Sequence, residues 1–158
     1  MIRRPALALA LLPLSLLQVA SLAQATSLGA GAQDTVTRLA RAGGVPLTGV
    51  TFASADATRR IAQAFTASGR CVSENTLSRL GQSPQNAGLQ AMLYLEFRCV
   101  TRIGGKALTP GQALTLLRGL GYDFRTSAGL LELLNNPPPT NALLQASGQP
   151  VTPLTPRN

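Results

Sequence analysis

Proton transfer, nucleophilic attack and metal binding each need particular side chains, and this chain supplies few of them. It has no histidine, so the commonest general base and metal ligand is missing. Its six acids, Asp34, Asp56, Glu74, Glu96, Asp123 and Glu132, stand singly, and no spacing pairs two of them for acid–base work. Serines and threonines are plentiful. A hydroxyl nucleophile needs a base beside it, though, and the single lysine, Lys106, is not placed to serve. Lys106 follows Gly104-Gly105 without the G-x-x-x-x-G-K-[ST] pattern of a phosphate loop, so the tripeptide reads as a turn. No catalytic residue, cofactor or metal ligand is expected; the chain reads as a binder, not an enzyme.

Two residue types remain informative. Cys71 and Cys99 are the only cysteines. In an oxidising compartment an isolated pair is most simply a disulfide. A redox-active pair is the alternative, but its usual C-x-x-C spacing is absent. Closing a loop of this length stabilises a fold by roughly 3–4 kcal/mol through chain entropy. The second type is arginine, which makes up 13 of the 14 basic residues against six acids. Arg98, Arg102, Arg118 and Arg125 fall close together along the second half and form a candidate anion-binding set. Such a set suits a polyanion, DNA or anionic lipid, although aromatics at 4% leave few rings for stacking on single strands. Arg59-Arg60 opens a helix, where the dipole disfavours cations; a solvated face or an anionic partner accounts for it.

The first residues read as an export signal. Arg3-Arg4 is the basic start, residues 5–22 are the apolar run, and Ala23-Gln24-Ala25 fits a cleavage site, giving residues 1–25 as signal peptide. An uncleaved anchor is the alternative, disfavoured by Pro5 and Pro13 in the run. No cysteine near the site suits a lipoprotein. Without Arg3 and Arg4, 12 basic residues face six acids, a mature charge of +6. The expected location is periplasmic or secreted, with no membrane span after cleavage.

Positioning elements follow from periodicity. Ala91 to Ile103 alternates, with Leu93, Leu95, Phe97, Cys99 and Ile103 on one parity and Tyr94, Glu96, Arg98 and Arg102 on the other, which predicts a half-buried strand. Residues 26–47 form an N-terminal segment with a short helix over 34–42, stopped by Gly43-Gly44. Val50 to Ala53 reads as a strand. Asp56 caps a helix to Ser68, with Ile61 and Phe65 on one face and Gly69 after it. Arg70 to Glu74 reads as a strand and 75–90 as a loop with one helical turn at 76–80. Thr109-Pro110-Gly111-Gln112 is a capping box ahead of a helix that Gly121 ends. Residues 122–126 and 130–134 read as a hairpin around Ser127-Ala128-Gly129. Residues 135–158 form a Pro-rich irregular tail. The sum is an α+β domain of two half-motifs, strand–helix–strand and strand–helix–strand–strand, with small sheets packed on two helices and one disulfide.

Six stretches of this pattern resemble a known family. Val50-Thr-Phe-Ala-Ser-Ala-Asp, Arg60-Ile-Ala-Gln-Ala-Phe-Thr-Ala-Ser-Gly and Arg70-Cys-Val-Ser-Glu-Asn resemble the first half of the secretin and TonB short N-terminal (STN) domain. Leu93-Tyr-Leu-Glu-Phe-Arg-Cys-Val, Thr109-Pro-Gly-Gln-Ala-Leu-Thr-Leu-Leu-Arg-Gly-Leu-Gly-Tyr and Leu130-Leu-Glu-Leu are similar to its second half. The likeness spans residues 48–134, with a longer loop at 75–90 than is usual. It implies an envelope protein-interaction module without catalytic residues. The suspected partner is a secretin, a TonB-dependent receptor or a pilus-assembly component, and because small sheets leave edges open, contact through an exposed strand edge is expected. The runner-up is a basic envelope protein that binds a polyanion.

Overall fold

The computed structural model describes residues 27–125 and 128–149. The export signal and cleavage site, the loop residues 126 and 127, and the tail from 150 lie outside the described residues. Seven helices and one two-stranded hairpin make up the described part. In chain order they are α1 (Ala30–Gly43), α2 (Ala57–Ala67), α3 (Glu74–Gln82), α4 (Ala87–Phe97), β1 (Arg102–Ile103), β2 (Lys106–Ala107), α5 (Pro110–Gly119), α6 (Ala128–Asn135) and α7 (Thr140–Ala146). The expected α+β arrangement of two half-motifs is therefore not the fold. It is a helical domain.

The largest correction falls at Ala91–Ile103. Its first part belongs to α4, in which every residue from Gly88 to Phe97 is buried. A helix apolar all round sits at the centre of a domain and leaves no polar face to mark a 3.6-residue period. Tyr94 and Glu96 fell on alternate positions by accident, and both are buried, at 1% and 4% exposure. α4 packs against α5, α3, α1 and α6, so the other helices are arranged around it. Only Arg102–Ile103 of the expected strand is β structure. It pairs with Lys106–Ala107 across Gly104-Gly105, whose φ values of 58° and 79° are those of a two-residue hairpin turn that glycine adopts without strain.

The remaining corrections fall on turns read as strands and on short helices read as strand, loop or tail. Residues 50–51 are irregular chain running into a turn at 52–53, and 70–73 are irregular chain leading into α3. The loop expected at 75–90 holds α3 and the start of α4, each with a side-chain cap: Ser73 Oγ accepts the Thr76 N–H at 3.1 Å, and Asn86 Oδ1 accepts the Leu89 N–H at 3.0 Å. Leu130, Leu133 and Leu134 follow helical spacing within α6 rather than a returning strand. The tail expected to be irregular from 135 carries α7.

Three helices fall where expected, although α1 begins at Ala30 rather than at 34. In α1 the buried residues Ala32, Thr35, Val36, Leu39 and Ala40 form one stripe. α2 buries Ile61 and Phe65. In α5, Thr109 Oγ1 accepts the Gln112 N–H at 3.3 Å and Pro110 occupies the first turn. Asp56 stands at the start of α2 but makes no capping bond. It accepts instead from Ser54 Oγ at 3.0 Å and from Arg60 Nε at 2.8 Å. No described helix is long and apolar enough to cross a membrane.

Candidate functional site

Helix α4 ends in a knot that sequence reasoning located only in part. Cys71 and Cys99 are bonded, Sγ to Sγ at 2.02 Å, as the pair predicts. Cys99 follows α4 and takes φ of 59°. Its N–H donates to Glu96 O at 2.8 Å and the Val100 N–H donates to Leu95 O at 2.8 Å, the paired bonds of a Schellman ending. Gly44, Gly69, Gly121 and Gly148 close α1, α2, α5 and α7 in the same way with φ between 64° and 96°. A cysteine thus holds a left-handed position that glycine holds at four other helix ends.

Glu96 lies directly beneath the disulfide. Its backbone carbonyl accepts the N–H groups of Cys71 and Cys99. Its carboxylate accepts the Ser73 N–H at 2.7 Å and a hydrogen bond from the Thr76 hydroxyl. Ser73 is the N-cap of α3, so Glu96 does for α3 what the third helical residue does in a capping box, but from another helix. Burial pushes the Glu96 carboxyl above its ordinary range, against the bonds from Thr76 and Ser73 that pull it down.

The four arginines singled out in the sequence do not form one cluster. Arg98 donates to Tyr94 Oη at 2.8 Å, to Pro138 O at 2.9 Å and to Thr140 Oγ1 at 3.3 Å, so it clamps the chain between α6 and α7 onto α4. Tyr122 assists by donating its hydroxyl to Asn136 O at 2.6 Å. Arg102 turns back on Gly105 O at 3.1 Å. Arg118 donates to Phe124 O at 3.2 Å and Arg125 pairs with exposed Asp123 at 3.0 Å; these two line one shallow concavity. Arg59 and Arg60 both face Asp56, and Arg60 holds that carboxyl below its usual range. Each of these six arginines is turned toward a local acceptor, and the six do not converge on one site.

A groove of about 390 Å³ opens beside the Arg98 clamp. Tyr94 and Phe97 of α4, Leu133 and Leu134 of α6 and the Pro137–Pro139 run line it. Arg70 lies over the Phe97 ring, 4.2 Å from its centroid, and Arg98 lies 5.9 Å from the Tyr94 centroid. Sequence reasoning missed Arg70. The legible signal was the Tyr94–Arg98 pair, four apart, which meets only once the stretch is a helix. Burial raises the Tyr94 hydroxyl, and the Arg98 guanidinium pulls it partly back.

With this geometry in hand, the chain was compared with protein-family models, curated proteins and solved structures; no match was found in any of the three.

Proposed function

We propose that this chain is an exported, disulfide-stapled helical domain that works by binding another protein of the cell envelope rather than by catalysing a reaction. One observation carries most of the reading. Both cysteines are consumed in a single bond that joins the entry of α3 to the end of α4, which suits an oxidising compartment. The basic, apolar start of the sequence points the same way. The partner class remains that of the sequence reading: a secretin, a TonB-dependent receptor or a pilus-assembly protein. The mode of contact changes. The described strands are two residues long, too short to template strand addition, so helix faces and the groove beside α4 must do the work.

The test is made in the envelope of the producing cell. Without reductant, both cysteines of the tagged chain should resist alkylation, and crosslinking followed by mass spectrometry should enrich an envelope protein. Free thiols, or no enriched protein, count against the reading. Salt-steep binding of duplex DNA with no protein partner would favour the polyanion reading instead.

A further inference from the structure

From the groove beside α4 we infer that this domain docks an acidic, apolar segment of its protein partner there, an inference that rests on the binding role proposed above. The groove's chemistry defines its occupant. One wall is three consecutive prolines, which present ring carbons and no N–H groups. A bound segment therefore finds no backbone ladder on that wall and must be held by side chains. Tyr94 and Phe97 lie beneath at 1% and 5% exposure with the two guanidiniums over them, so the apolar surface left open is half-buried Leu134 and the proline rings. These surfaces call for apolar side chains.

The polar groups in the groove are strongly biased. Two guanidiniums stand over the two floor rings, and among the described residues no carboxylate lies within ion-pairing distance of Arg70 or Arg98. Arg98 is fixed by its bonds to Tyr94, Pro138 and Thr140. Arg70 is held by the Phe97 ring and by one long bond, 3.4 Å, from Nη1 to Phe97 O. Nε and Nη2 of Arg70 make no hydrogen bond to any described residue. An arginine stacked on an aromatic face with donors to spare is pre-organised for a carboxylate. The groove is open along its length. A free fatty acid wants most of its chain enclosed, whereas a peptide needs only to seat one or two side chains.

The test uses the full chain and a defined probe, the acetylated peptide Glu-Leu-Glu-Leu-Glu, with its glutamine counterpart as control. Titration followed by NMR should show the glutamate peptide saturating shifts at Phe97 and Leu134, and the glutamine peptide binding roughly tenfold more weakly. Arg70→Gln should weaken the glutamate peptide by about tenfold, while Arg59→Gln, outside the groove, should leave it unchanged. Leu134→Glu, which places an acid in the groove, should weaken binding at least as much and serves if Arg70→Gln does not fold. Equal binding of both peptides, equal loss in Arg59→Gln and Arg70→Gln, binding of laurate but not of peptide, or no binding at all overturns the assignment. Photo-crosslinkers at Leu134 and at Gln63 of α2 separate the two levels of the argument. Capture of an envelope protein from Gln63 alone sinks the groove and spares the binding role; capture from neither sinks both.

Discussion

Glu96 joins two helices through one buried carboxylate. Its proton is held to higher pH in the folded chain than in the unfolded one, because burial raises the carboxyl above its ordinary 4.5. The folded state then binds more protons between the two values, so this group's contribution is full below 4.5 and is lost as pH rises through the folded-state value. Urea midpoints taken from about pH 4 to about pH 8 should fall across that window and level off above it. In Glu96→Gln that part of the slope should vanish, and an unchanged slope would rule the assignment out. Gln also loses one of the two donors that the carboxylate satisfies, at a cost of about 1–2 kcal/mol throughout. Cys99 supports a second expectation. Opening the disulfide by Cys71→Ser with Cys99→Ser should cost about 3–4 kcal/mol. Replacing the second change by Cys99→Gly should return about 1 kcal/mol, because only glycine takes φ of 59° freely; equal denaturation midpoints for the two doubles would refute this. The cysteine pairing was legible in the sequence because two residues allow one bond. The role of Glu96 was not, since its partners Ser73 and Thr76 lie more than 19 residues away.

Among the elements, α4 shows where sequence reading succeeds and where it stops. α1, α2 and α5 were readable because each ends at a glycine stop and shows solvent one face, although the start read for α1 at Asp34 lies inside the helix. α4 shows solvent almost nothing, so polarity along it reports no period and the alternation of Tyr94 and Glu96 misleads. α3 was hidden by Gly81 and Pro84, which read as loop although Leu77 and Leu80 keep helical spacing. The start of α4 is held tightly against α5. A Cβ on Gly88 would stand 3.0 Å from both the Pro110 side chain and its backbone oxygen. Gly88→Ala should therefore push the two helices apart and destabilise the fold by about 1–3 kcal/mol. Gly111→Ala, where nothing lies within 4 Å, should be neutral or slightly stabilising. Guanidinium unfolding of the two variants decides the matter, and equal midpoints would sink the close-packing argument.

Across the whole molecule, the C-terminal part is tied to the centre by a few polar contacts. Arg98 and Tyr122 hold the 136–140 segment, and the hairpin meets α7 through the Gly104 N–H donating to Ser147 O at 2.9 Å. Arg98→Ala should raise amide exchange across residues 136–149 well before it affects α4, because the clamp is lost while the core is not. Protection unchanged in that segment would show that Leu143, buried at 1% exposure, holds α7 by itself. The sequence hinted at this unit only as a run of prolines; the partners that order it are an arginine 40 residues away and a tyrosine 14 residues away. The disulfide acts at the same scale. The bond spans a separation of 28 residues, and the turn between α3 and α4 lies inside that span. A protease that cuts at that turn produces two pieces still joined by sulfur. Such a nicked molecule runs as one species until a reductant is added, and damage at that turn need not separate the buried helix from the rest of the domain.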